Sequence, residues 1–346
     1  MRLVQGGASA PRSVSISRRF RLPVAVLSAG LMMAGCGVLG GGSSGLGSSG
    51  NLTITVAAVP GVDNAPLYIA RQDGLFRQHG LNVRITRYRS LKDEIQALSH
   101  GQADIAAGDY ADFFYQESQG ALRLRLIADG YDAAPNVMQV LTLPTSSIKN
   151  PQDLQNQRVA IPPPGGIAKS SNISLPYSME MMATEAVLRN DGVGPTSITW
   201  APMSESKMVS ALGNHKVSAI VVTEPYIFQA ESKLGAVSVL DSCSGVTSGL
   251  PLLGYFSLAS FATGHAQAVH AFKAALLQAQ EDATMRGPVQ AQLTSSRTMT
   301  TQDAALLTLG QYPTFLSVGQ VQRVADLMYE SGMIAAPLAV RGLISG

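Results

Sequence analysis

Residues 85–118 and 198–232 read as two copies of one unit. The first has Ile85-Thr86, a helical stretch ending in Gln96-Ala97-Leu98, then a strand through Ala103, Ile105 and Ala107 that ends in Gly108-Asp109-Tyr110. The second has Ile198-Thr199, a stretch ending in Ser210-Ala211-Leu212, then a strand through Ala219 and Val222 that ends in Thr223-Glu224-Pro225-Tyr226. Each copy is strand, helix, strand, and each second strand runs into a carboxylate just before a new helix. Such units build mostly parallel sheets covered by helices. Two copies predict two similar α/β lobes. Ligands of open α/β sheets sit beyond the carboxyl ends of the strands, so Asp109 and Glu224 are expected to face each other across a cleft.

The rest of the chain alternates in the same way. A strand over 52–59 leads through Asp63-Asn64 into a helix with Pro66 near its start, a combination of Asx cap and early proline that favours helix initiation. Strands over 81–88, 104–107 and 122–128 and helices over 91–99 and 110–118 follow. The apolar run 136–143 is expected to cross to a second lobe. That lobe has a strand over 158–161, the turn Pro162-Pro163-Pro164-Gly165-Gly166, a helix over 175–190 and, after the second repeat unit, a strand over 237–240. Residues 250–258 bring the chain back. From residue 265 the pattern is helical, with Val269, Phe272, Ala275, Leu276 and Ala279 on one apolar stripe. Gly287-Pro288 is expected to end that helix, and helices near 301–309 and 318–331 pack on the first lobe. The expected organisation is lobe 1 from 51–141 plus 247–346 and lobe 2 from 142–246. Two hinge crossings between them suit closure around a ligand.

The N-terminus reads as a targeting segment. Residues 1–22 carry five Arg and no acid, residues 22–33 are apolar, and Ala34-Gly35-Cys36 follows. A basic region, a short apolar region and small residues make a secretion signal over 1–35, too short to span a bilayer. Cys36 stands where a lipidated first residue of the mature chain would, and residues 36–50 form a Gly/Ser-rich tether. Ser17-Arg18-Arg19 hints at twin-arginine export, with Arg21 where that signal prefers an apolar residue. The whole chain has a formal net charge of +2, but loss of residues 1–35 leaves 20 Lys and Arg against 23 Asp and Glu, or −3. No basic stripe remains to hold nucleic acid. Cys243 is the only other cysteine, so the mature domain has no internal disulfide, and Cys243 is expected to be a small buried apolar residue. At 46% hydrophobic and 14% charged residues, two cores can be filled.

Several segments carry a family resemblance. Pro66-Leu67-Tyr68-Ile69-Ala70, Gly74-Leu75-Phe76 and His79-Gly80-Leu81-Asn82-Val83 resemble the opening of bacterial ABC-importer solute-binding proteins of the nitrate, sulfonate, taurine and thiamine-pyrimidine group. Ala97-Leu98, Gly101 to Ala106, Ala219 to Tyr226 and the helix over 268–283 are similar to that family too, over roughly residues 52–335. The resemblance implies a type II periplasmic-binding-protein-like fold that traps a small molecule between its lobes. It also implies an ABC permease and an ATPase as partners, and no chemistry performed.

Candidate contacts fall at strand ends and early helix turns. Asp63 and Asn64 divide between helix capping and the cleft. Gly108 permits close approach of a ligand, Asp109 accepts from a ligand N–H, and Tyr110 follows. Asp129-Gly130-Tyr131 ends another first-lobe strand, contributing Asp129 and Tyr131. Gly165, Gly166 and Ser171 offer backbone N–H groups and a hydroxyl ahead of a helix N-terminus. Trp200 offers a flat stacking surface or core packing, and Met203 starts the next helix. Thr223, Glu224 and Tyr226 mirror the first repeat. Glu224 precedes a proline, is expected to be held extended, and so is expected to serve less as a cap than as a cleft acid. Acids outnumber Lys and Arg at these ends, with Lys169 and Lys207 nearest in sequence. The ligand is therefore expected to carry N–H donors or positive charge: an aminopyrimidine, an amine or a taurine-like zwitterion.

Enzyme patterns are weak. Gly41-Gly42-Ser43-Ser44-Gly45 lies in the tether with no strand or helix around it, and Gly192-Val193-Gly194 lacks the third glycine of a dinucleotide loop. No cofactor and no metal site are expected. The function expected is a monomeric, exported, lipid-anchored solute-binding protein of an ABC importer. The alternatives are a ligand-sensing or surface-interaction protein on the same scaffold, or an aliphatic sulfonate or nitrate binder.

Overall fold

Both repeat units fold alike, and each is extended by the same additional strands. In the computed structural model, which describes residues 52–164, 178–295 and 299–345, the first half runs β1 (Leu52–Ala58), α1 (Ala65–Gln72), α2 (Leu75–Gln78), β2 (Leu81–Arg87), α3 (Leu91–Ser99), β3 (Ile105–Asp109), α4 (Tyr110–Ser118) and β4 (Leu124–Asp132). The second runs β5 (Met138–Thr142), β6 (Arg158–Ile161), α5 (Met179–Asn190), β7 (Thr199–Pro202), α6 (Glu205–Gly213), β8 (Ala219–Thr223), α7 (Tyr226–Leu234) and β9 (Val237–Asp241). Then come β10 (Pro251–Leu258), α8 (Ala259–Gly264), α9 (Ala266–Ala283), α10 (Arg286–Ser295), α11 (Thr301–Leu306) and α12 (Val318–Glu330).

The strand orders are β2-β1-β3-β10-β4 and β7-β6-β8-β5-β9. They are the same order twice, with β7, β6, β8 and β9 standing for β2, β1, β3 and β4. Within each sheet four strands share one direction. The exception is β10 in the first sheet and β5 in the second, each antiparallel to both neighbours. These two exceptions are the strands that follow the chain's passages between sheets. The expected mostly parallel sheets are therefore present, and the crossing segments supply the single reversed strand of each.

Local chemistry accounts for most boundaries. Central strands β3 and β8 are apolar along their length and buried on both faces, as helix-covered parallel strands must be. Ser90 caps α3 by accepting from the Asp93 N–H, and Ser317 caps α12 by accepting from the Gln320 N–H. The apolar stripe of α9, with Val269, Phe272, Ala275, Leu276 and Ala279 buried, lies against α1 and α2. Phe76 stacks on Phe272 at 5.4 Å. α9 ends at Ala283, and Gly287-Pro288, expected to end that helix, stands instead in the first turn of α10, where proline is tolerated. Cys243 is buried with a free thiol.

The core of the first sheet turns on Tyr110 and Phe256. Phe113 stacks on Phe256 at 4.4 Å, and the Tyr110 and Phe256 rings meet edge to face at 5.4 Å. The Tyr110 hydroxyl donates to Asp129 Oδ1 at 2.9 Å, which also accepts from the Gly130 N–H. Gln280 of α9 donates to the Asp129 carbonyl at 2.8 Å. Gly254 in β10 lets Tyr110 lie flat on the strand: a Cβ there would stand 2.9 Å from Tyr110 Cζ and 3.1 Å from Leu126 Cδ1. Gly254→Ala is accordingly expected to overpack this contact and cost about 1–3 kcal/mol. Urea unfolding would measure it; an unchanged midpoint would mean that the Tyr110 ring moves aside freely.

Candidate functional site

A cleft of about 450 Å³ opens where the carboxyl ends of both sheets converge. One wall follows β1, β2 and β3, the other β6, β7 and β8, which is where open α/β sheets bind ligands. Tyr131, Val137, Met138, Leu252 and Leu253, at the two chain crossings, complete the lining. Residues Ser49–Gly346 form one compact unit, so both walls belong to one body.

Of the residues singled out by sequence, Asp63, Gly108, Asp109, Tyr131, Thr223, Glu224 and Tyr226 line this cleft. Others do not. Asn64 is buried, and its side chain donates to the Val59 carbonyl and accepts from the Gly61 N–H. It neither caps α1 nor reaches the cleft; it ties the β1–α1 loop closed. Tyr110 and Asp129 are buried partners within the first sheet's core, because the Tyr110 ring is held by aromatic neighbours. Trp200 lies within β7, paired with Val159, and packs against the core. Met203 packs on the second hydrophobic core. Lys207 is exposed on α6, away from the lining. Gly165, Gly166, Lys169 and Ser171 lie outside the described residues, as does Cys36.

Gly108 serves packing as well as access. A Cβ there would press into Leu91 and stand 2.7 Å from the Phe113 ring. Asp109 occupies the N-cap position of α4 yet makes no side-chain cap hydrogen bond, so its carboxyl is left to the cleft. Glu224 differs from its repeat counterpart. Its Oε2 accepts from the Phe228 N–H in the first turn of α7, and its Oε1 accepts from the Thr308 N–H at 2.9 Å. Contrary to the sequence expectation, Glu224 does serve the start of α7, because the chain turns at Pro225 and brings the carboxyl under that helix. It also fastens the second sheet to the segment after α11. The same segment is held to the first sheet, where the Gly310 N–H donates to the Tyr131 hydroxyl and the Tyr312 hydroxyl donates to the Val62 carbonyl. Arg286 of α10 closes the end of α11, donating to the Ala304, Ala305 and Leu307 carbonyls.

Four further carboxylates line the cleft: Glu94, Asp112, Glu180 and Glu205. With Asp63, Asp109 and Glu224 they make seven acids. Arg89 is the only Lys or Arg among the described lining residues. The acids come from both walls and feel one another. Burial pushes Asp109 well above the usual carboxylate range, and Glu180, Asp112, Asp63 and Glu94 add to the rise. Burial raises Asp63 to about 6, with Glu180 contributing. Burial also raises Glu205 to about 8, reinforced by Glu180 and Asp63, although Glu205 accepts from the Thr223 N–H and hydroxyl. Glu94 is 1% exposed, and burial raises it strongly.

These four had a legible signature. Glu180 and Glu205 stand in the first turns of the helices that follow β6 and β7; in the first sheet Asp63 and Glu94 lie in the loop and the helix that follow the matching strands β1 and β2. In α3, Leu91, Glu94, Ile95 and Leu98 share one face by their spacing, so Glu94 is an acid on an apolar stripe. Asp112 likewise lies among Tyr110, Ala111, Phe113 and Phe114, all buried.

The cleft makes stability depend on pH with a definite sign. A carboxyl with a raised value in the folded chain stays protonated after the unfolded chain has ionised. Its contribution is complete below the ordinary carboxylate range and is lost as pH rises through the folded value. For Asp63 that loss ends near about 6, and for Glu205 near about 8. The melting temperature of the solute-free chain is expected to fall between pH ~5 and ~9, and Glu205→Gln to flatten the upper part of the fall. A melting temperature that rises over this window would contradict the assignment.

The sequence profile of the family described as NMT1/THI5 like matches residues 62–291, about two thirds of the chain. No curated protein matches the sequence. Among solved structures, the periplasmic aliphatic sulphonate binding protein of Escherichia coli superposes with a TM-score of 0.68 at 16% identity, over 85% of this chain and 97% of its own. The periplasmic nitrate-binding protein of Synechocystis PCC 6803 gives 0.66 at 14% identity, over 82% of each chain. The desulfurization enzyme DSZB gives 0.61 at 12% identity, over 84% of this chain and 96% of its own. At such identities the likeness is one of fold, the two-lobed α/β architecture of periplasmic binding proteins. With two doubly matched sheets, a cleft at their strand ends and a profile that spans both, the chain belongs to the NMT1/THI5-like family.

Proposed function

We propose that this chain is the solute-binding protein of an ABC importer, capturing a small nitrogen-containing organic solute between its two sheets and delivering it to a permease. The observation that carries the reading is the charge of the cleft: seven carboxylates against one arginine among its described lining residues. A ligand anion about 4 Å from one ionised carboxylate meets a repulsion of ~4 kcal/mol at an effective dielectric near 20. Nitrate and simple sulfonates, named for the structural neighbours, are poorly matched to such a site. An amine, an aminopyrimidine or an amidine gains from every carboxylate it meets.

The rest of the reading follows from the chain outside the cleft. Residues 1–35 direct export, Cys36 carries the lipid, and the Gly/Ser tether over 36–50 holds the binding unit near the membrane that houses the permease. Among the described residues no helix is long and apolar enough to cross a membrane. The fold also carries an enzyme among its solved examples.

A thermal-shift screen against amines, aminopyrimidines, taurine, alkanesulfonates, nitrate and flavins tests the proposal. A solute that binds only the folded chain adds ~2.7 kcal/mol of stability at a hundredfold excess over Kd. Stabilisation by a cationic or N–H-rich solute is expected, and its loss in Asp109→Asn. Stabilisation by nitrate or methanesulfonate alone would sink it. Silence across the panel would shift the assignment to a sensing or surface-interaction role, and turnover of a bound compound would restore an enzyme.

A further inference from the structure

The cleft's unsatisfied acceptors say more about the solute than its overall sign, provided that the cleft is the solute site. Asp63 Oδ1, Glu94 Oε1 and Glu180 Oε2 are buried and have no hydrogen-bond partner among the described residues. Buried acceptors are normally paired. These three come from the β1–α1 loop, the buried face of α3 and the first turn of α5, so both walls are represented. Glu94 is the most telling. At 1% exposure it cannot be served by bulk water, and it lies directly behind Gly108, whose missing side chain leaves its Oε2 3.4 Å from where a Cβ would stand.

The supply of positive charge is equally one-sided. Glu224 is already satisfied by two backbone N–H groups. Glu205 spends Oε1 on Thr223. Glu180 nevertheless lies close enough to raise Asp63, Asp109 and Glu205, and Asp63 close enough to raise Asp109 and Glu205. A single protonated amine answers one or two of these groups and leaves the others as like-charged neighbours.

We propose that the cleft takes a solute with two or more protonated nitrogens, of the di- or polyamine class, one end held by Asp63, Glu94 and Asp109 beside β1 and β3 and the other by Glu180 and Glu205 beside β6 and β7. A divalent metal ion is the other obvious dication. Among the described residues no three His, Cys, Asp or Glu side chains converge to hold one, and a space of about 450 Å³ suits an organic molecule.

Calorimetric titration of the full chain with butane-1,4-diamine, spermidine, butylamine and calcium chloride tests this. Butane-1,4-diamine is expected to bind at least about tenfold tighter than butylamine, and Glu180→Gln to weaken the diamine about tenfold while moving butylamine by less than about threefold. Glu205→Gln is the second variant, used if Glu180→Gln melts below the parent chain. Equal affinities for the two amines, a diamine indifferent to both substitutions, or calcium binding tighter than any amine would overturn the proposal. Tight binding of a neutral aminopyrimidine without any amine would overturn it alone and leave the solute-binding reading standing. Binding of nitrate or methanesulfonate would remove both.

Discussion

Each sheet is completed by a strand that arrives from the other, and the rest of the molecule depends on that exchange. In the first sheet β10 sits between β3 and β4; in the second β5 sits between β8 and β9. An isolated first half would leave β4 without its ladder neighbour, because β4 pairs in the sheet only with β10. The same holds for β9 and β5. The two sheets are therefore not independent beads on a string. Their mutual completion places the carboxyl ends of six strands around one opening and fixes where the crossings run.

That opening concentrates features that an ordinary interior avoids. Helix first turns and strand ends aim carboxylates inward from both sides, and little in the described lining offsets them. Burial and mutual repulsion push several of these acids above the usual carboxylate range. The segment after α11 adds a third link between the walls, since Glu224 holds it from one side while Tyr131 and Tyr312 hold it from the other. Two covalent crossings and one hydrogen-bonded strap thus border the same cleft.

The architecture was readable because periodicity and order survive without contacts. The repeat at 85–118 and 198–232 anticipated two similar α/β lobes, and the apolar runs at 136–143 and 250–258 marked the crossing strands. The individual roles of site residues were harder, since they depend on partners distant in sequence. Glu224 resembled Asp109 by position, but Thr308 lies 84 residues further on and takes half of its carboxyl. Trp200 at its strand end was open to stacking or core packing, and the pleat turns it toward the core. Glu94 was not singled out from sequence, because a carboxylate in an amphipathic helix ordinarily faces solvent. Its place beside Ile95 and Leu98 on the buried stripe was the clue, and only the packing of α3 against β3 shows that this stripe ends at the cleft.

The protonated acids also alter what the molecule is as an ion. Formal counting gives the whole chain +2 at neutral pH with every carboxyl ionised. A Glu205 raised to about 8 is mostly uncharged at that pH, and burial pushes Glu94 and Asp109 in the same direction. A proton retained there makes the chain up to one unit more positive at that pH than formal counting assigns. The chain's electrophoretic mobility thereby becomes a property of its cleft and not only of its surface.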